Sequence, residues 1–218
     1  MPYSSFTIAQ VKRQFQIEVV IEPFFSDVAI LTPGEWLTTL LAKSAPLAVT
    51  LGTEKVRSEL IIAPLLFEFR ELLDRRVSFF SGADFSIDLE SGLNGVCDFL
   101  LTRSTSEVNI EAPAIIIIEA KKGELNVGWG QCAAEMIAAQ KFNLAAGQEV
   151  STIYGSVTTG TMWSDVPVIL ATAVSHETGL SFSLDSEQEK SWIRADRYLE
   201  KGIRPEQLDQ EIMKLLKL

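Results

Sequence analysis

The chain has 218 residues, 47% of them hydrophobic and 22% charged, and a formal charge of -10 at pH 7. That composition fits one globular domain with a sizeable core, so residues 1–218 are read as a single unit. It excludes low-complexity and fibrous classes, and no run approaches the ~18 apolar residues of a membrane helix. The acid excess counts against a general nucleic-acid binder, whose phosphate affinity comes largely from Lys and Arg.

The opening MPYSSFTIAQVKRQF has no basic patch followed by an apolar block, so no signal peptide is read and a cytoplasmic setting is expected. In FQIEVVIEPFF (15–25), Phe15, Ile17, Val19 and Ile21 alternate with mostly polar neighbours, which predicts a strand. Thr32-Pro33-Gly34-Glu35 offers a capping box with proline at the first helical position, so a helix through Trp36, Leu37, Leu40 and Leu41 should follow. Residues 53–76 read as a second helix capped by Thr53, which Pro64 must kink or divide because it has no N–H to donate.

Three short runs, VSFF (77–80), ADFSIDL (83–89) and GVCDFLLT (95–102), have strand character, the second with Phe85, Ile87 and Leu89 on one face. APAIIIIEAK (112–121) is apolar on both faces, which predicts a central strand covered above and below. The alanine-rich, proline-free stretch 127–147 reads as a helix ending before Gly147. Two further strands are expected at 151–160 and 167–174, then helices around 187–201 and from Pro205. The order predicts an α/β chain of the α+β kind, a mixed sheet flanked by helices.

The chemistry concentrates where the isoleucine run ends. Alternate strand residues share a face, so Glu119 and Lys121 should point the same way, with Ile117 behind them. By itself such a pair is a common and weak surface salt bridge. Asp98, in the neighbouring strand, changes the balance. Two carboxylates about 4 Å apart repel by roughly 4 kcal/mol at an effective dielectric of 20, and a hard divalent cation is the usual remedy. The single histidine, His176, reads as a turn residue and leaves no basis for a multi-histidine metal site. Cys97 and Cys132 stand in apolar runs and read as core residues in a reduced environment.

The ordered array Glu59 in SELIIAP, Asp98 in GVCDFLL, Glu119-Ala120-Lys121 in IIIIEAKK and Gln131 in GQCAAEM resembles the PD-(D/E)XK nuclease superfamily. Within it, the surrounding text, including YGSVTTGTMW (154–163), is similar to a group of small cyanobacterial proteins. The resemblance covers residues 5–163; residues 164–218 match the family poorly, and SDVPVILATAVSHETG does not align. It implies a restriction-endonuclease-like core and a metal-dependent nuclease acting on nucleic acid, DNA first, with Mg²⁺ or Mn²⁺. Asp98 and Glu119 would hold the metal with the Ala120 carbonyl, and Glu59 would be an outer ligand. Lys121 would be the catalytic amine and Gln131 a positioning residue. Two alternatives stay open. Glu59 could pair with Arg57 or Lys55, and the chain could be a nuclease-fold scaffold without turnover, which its acidity favours. No membrane partner is expected, and a homodimer is left open.

Overall fold

The computed structural model describes residues 2–17, 19, 32–148, 150 and 152–165. Its first α-helix takes Phe15 out of the strand expected at 15–25. Thr7 accepts from the Gln10 N–H while the Gln10 side chain accepts from the Thr7 N–H, a capping box that starts α1 (Ile8–Phe15). Phe15 closes that helix, and Gln16 turns the chain in the left-handed region at φ 53°. At Phe15 the T-x-x-Q signal just upstream prevails over the alternation; residues 18 and 20–31, where most of the expected strand falls, lie outside the described residues.

Helix α2 (Glu35–Leu51) starts two residues later than a Pro33 start implies. Gly34 is its cap residue, and the Gly34 N–H donates to Glu68 Oε1 at 2.6 Å, so a distant carboxylate takes the part a capping box would give to Glu35. Thr53 does cap the next helix, accepting from the Val56 N–H. That helix runs as α3 (Glu54–Arg57), a π turn (Ser58–Ile62) and α4 (Ala63–Leu72). Pro64 accounts for the break. It cannot donate to the Leu60 carbonyl one turn back. The Ala63 N–H reaches back five residues to the Ser58 carbonyl, and Ser44 Oγ donates to the orphaned Leu60 carbonyl at 2.8 Å.

The sheet has five strands in the order β1-β2-β3-β4-β5: β1 (Ser78–Asp84), β2 (Val96–Thr102), β3 (Ala114–Ala120), β4 (Tyr154–Thr158) and β5 (Trp163–Asp165). The first three form an antiparallel meander, β4 lies parallel to β3, and β5 turns back antiparallel, so the sheet is mixed. The strand expected at 83–89 is corrected. β1 runs through residues 78–84 as one strand, and the chain then turns, with Asp88 accepting from the Ser91 N–H and hydroxyl. Leu89 therefore ends 73% exposed rather than in a buried row with Phe85. The strand expected at 167–174, the helices beyond it and His176 lie outside the described residues.

All seven residues of β3 are buried, with a strand on either side and helices over both faces. Ile117 and its partner Leu100 belong to the core under α1 and α5 (Trp129–Ala145). Ile116, Ile118 and Ala120 belong to the core under α2 and α4. Burying the four isoleucines is worth roughly 1.5–3 kcal/mol each and pins β3 at the centre.

The crossover from β3 to β4 passes through α5, which is nearly enclosed: Cys132, Ala133, Ala134, Ala138 and Ala139 have no exposed surface. Its small residues let the N-terminal segment cross it closely. A Cβ on Gly130 would lie 2.3 Å from the Phe6 carbonyl oxygen. At the far end, Asn143 Oδ1 accepts from the Ala114 N–H and its Nδ2 donates to the Ala114 carbonyl, both at 2.7 Å. This side chain imitates a strand partner and locks α5 to the start of β3. Asn143→Ala strands both backbone groups, and urea unfolding should show a loss of about 2–4 kcal/mol with an unchanged denaturant slope. A midpoint equal to wild type would mean that the contact carries no such weight.

Candidate functional site

Asp98 sits where the ladders on both sides of β2 lapse. Toward β1 the pairing skips from Ser81↔Phe99 to Ala83↔Cys97, omitting Gly82, which adopts φ 62°. Toward β3 the pairing stops at Phe99↔Ile118. In place of the next rung, Asp98 Oδ2 accepts from the Ala120 N–H at 2.9 Å, so the side chain ties the two strands where the backbone does not. Continuing the same register sets Asp98 opposite Glu119, on the face of Leu100 and Ile117, toward α5.

Glu119 is 1% exposed. Its Oε1 accepts from Lys121 Nζ, and its Oε2 has no partner among the described residues. Burial first, and then the charge of Asp98, push the Glu119 carboxyl up to about 8 against the pull of Lys121. For Lys121, burial opposes the charged form, yet Glu119 and Asp98 hold its pKa above the ordinary lysine value. The ammonium also donates to Gln131 Oε1 at 3.4 Å, and Gln131 Nε2 donates to Glu135 Oε1 at 3.1 Å. Glu135 is fully buried; that burial, with the charges of Glu119 and Asp98, raises its pKa well above the carboxylate range.

Four of the expected residues therefore meet: Asp98, Glu119, Lys121 and Gln131, with the Ala120 backbone between the carboxylates. Glu59 does not join them. It lies on the π turn, its side chain 57% exposed, paired with Lys55 at 2.8 Å. The acid of this helix that acts on the site is Glu54, whose charge raises the pKa values of both Glu119 and Lys121. Pro64 marks a break in 53–76 but not its form, and the extra residue of the π turn shifts the two halves by about 100°. Glu135 could have been found from its spacing, one helical turn after Gln131 on the same face. Cys97 and Cys132 are buried free thiols with pKa values raised chiefly by burial, as expected of packing residues. Trp129 packs against the core under α5.

Asp98 and Glu119 offer hard oxygen donors from adjacent strands, and Glu119 Oε2 is an orphaned buried acceptor aimed at nothing the described residues supply. This donor set suits Mg²⁺ or Mn²⁺, which commonly use one or two carboxylates and complete their shells with water and substrate oxygens. Among the described residues, no three His, Cys, Asp or Glu side chains stand close enough to cage an ion by themselves.

No protein-family model matches the chain, and no match to it was found among curated proteins or solved structures. Among the described residues, no helix is long and apolar enough to cross a membrane.

The raised pKa of Glu119 fixes the sign of a pH effect. The folded chain holds this proton more tightly than the unfolded chain does. The resulting stability is complete below the unfolded carboxylate pKa and is lost as pH rises toward about 8. The thermal midpoint of metal-free protein should accordingly fall between about pH 5 and pH 8, with Glu135 contributing in the same direction. Glu119→Gln should flatten that fall; identical slopes for the two proteins would contradict the assignment.

Proposed function

We propose that the protein is a metal-dependent phosphodiesterase of restriction-endonuclease-like fold, cleaving nucleic acid and most readily DNA. One observation carries the reading. Two acidic side chains from adjacent strands share a face at the strand ends, and the lysine two residues beyond the second acid bonds to it. The residues of the array lie on helix, strand, strand and helix in that order, the frame on which the resemblance was drawn, and this supports the same reading.

Asp98 and Glu119 would hold Mg²⁺ or Mn²⁺ with the Ala120 carbonyl. The ion would supply Lewis-acid polarisation and neutralise phosphate charge. The chain's own residues then have separable tasks. Asp98 keeps β2 and β3 joined through the Ala120 N–H while leaving its second oxygen outside that bond. Lys121 presents an ammonium in a largely buried setting, where it stabilises negative charge growing on a phosphoryl oxygen more strongly than it would in water. Glu119 and Gln131 hold that ammonium from two sides.

A second reading, a nuclease-fold scaffold without turnover, is favoured by the net charge of -10 and by a Glu119 whose burial resists ionisation. Incubating plasmid and single-stranded DNA with Mn²⁺ separates the two. Wild type should nick or degrade DNA, and Lys121→Ala should lower the rate by on the order of 100-fold. Equal cleavage by both proteins would point to a contaminant. Calorimetry supplies a second check: wild type should take up Mn²⁺ and Asp98→Ala should not, and silence in both would end the metal assignment.

A further inference from the structure

Glu135 is left without a task by the groups described so far. It lies in the middle of α5 with no exposed surface; one oxygen accepts from Gln131 and the other has no partner among the described residues. None of the ion pairs among the described residues includes it. A buried acid in that position costs stability, and an apolar residue of its size would pack there more favourably. Its presence therefore calls for a role other than holding the fold.

The amide beside it points to that role. A primary amide has a donating end and an accepting end, and a fixed partner at one end decides which atom faces the other way. Glu135 Oε1 takes the Gln131 NH₂ group, which leaves Gln131 Oε1 facing Lys121 Nζ. The ammonium then rests between two acceptors, Glu119 Oε1 and Gln131 Oε1. Reversed, the amide would aim its N–H groups at a cation that has only donors, and the two would move apart. We infer that Glu135 is a positioning residue that orients the Gln131 amide and so holds the Lys121 ammonium between β3 and α5. The contact chain stands on geometry alone, whereas its effect on turnover rests on the nuclease reading.

Glu135→Leu removes the acceptor with little change in volume, and Glu135→Gln restores a carbonyl acceptor without the charge. Glu135→Leu is expected to melt no lower than wild type; should it fail to fold, the unbranched Glu135→Met takes its place. The first readout is the Gln131 side-chain amide resonance pair in ¹⁵N–¹H spectra, assigned by its loss in Gln131→Ala. The second is steady-state cleavage of a short DNA duplex with Mn²⁺. In Glu135→Leu the resonance pair should move and kcat should fall roughly tenfold with KM unchanged, as for a lost hydrogen bond acting through a charged group. Glu135→Gln should bring the pair back near its wild-type position and recover most of the rate. Resonances that stay in place in Glu135→Leu, or equal rate losses in both variants, overturn the positioning role. If wild type cleaves no DNA, the nuclease reading falls, and the Gln131 resonances still decide the role of Glu135.

Discussion

The molecule is organised around a carboxylate that hydrophobic packing drags out of water. Five buried residues of β3, Ala114 to Ile118, lead directly into Glu119, and the strand cannot withdraw that acid without exposing its isoleucines. Their burial is worth several kcal/mol in total, enough to keep Glu119 in a place that an isolated acid would avoid. What surrounds it follows from that imposition: the ammonium of Lys121 on one oxygen, and nothing among the described residues on the other.

Two features keep this arrangement from being ordinary core. The sheet loses regularity at Asp98 on both sides of β2, at Gly82 and beyond Phe99, and a side-chain bond to Ala120 stands in for the missing rung. The overlying helix is built from small residues, so α5 lies close to β3 and β4 while carrying Gln131 and Glu135 toward the strand end. Dense packing beneath and an interrupted ladder above produce polar groups held with little freedom, which is what preorganised electrostatics requires.

The parts legible in the sequence are those whose signal is local and strong. Four isoleucines in a row could hardly be anything but a covered strand, and the alanine-rich stretch after them had no competing pattern. Strand alternation paired Glu119 with Lys121 and the neighbouring strand supplied Asp98, whereas Gln131 joined them only through the resemblance. The failures share a cause as well. Phe15 belongs to a helix because Thr7 and Gln10 cap it, Gly34 takes its partner from Glu68 thirty-four residues away, and Leu89 follows a turn built by Asp88. Each depends on a particular hydrogen bond that periodicity does not encode. Glu59 entered through the resemblance rather than through periodicity, and its exposed pair with Lys55 is the alternative left open for it.

The extra residue of the π turn has a wider consequence. The turn Ser58–Ile62 works as a phase setter between two stretches of one rod: downstream, Leu65, Leu66 and Phe69 are aimed into the interior, and upstream, Glu54 is brought to bear on Glu119. Excising a single amino acid from the turn would leave the composition almost untouched. It would nevertheless swing the upstream stretch about a quarter of the way round its axis. At this point in the chain, length matters more than side-chain identity.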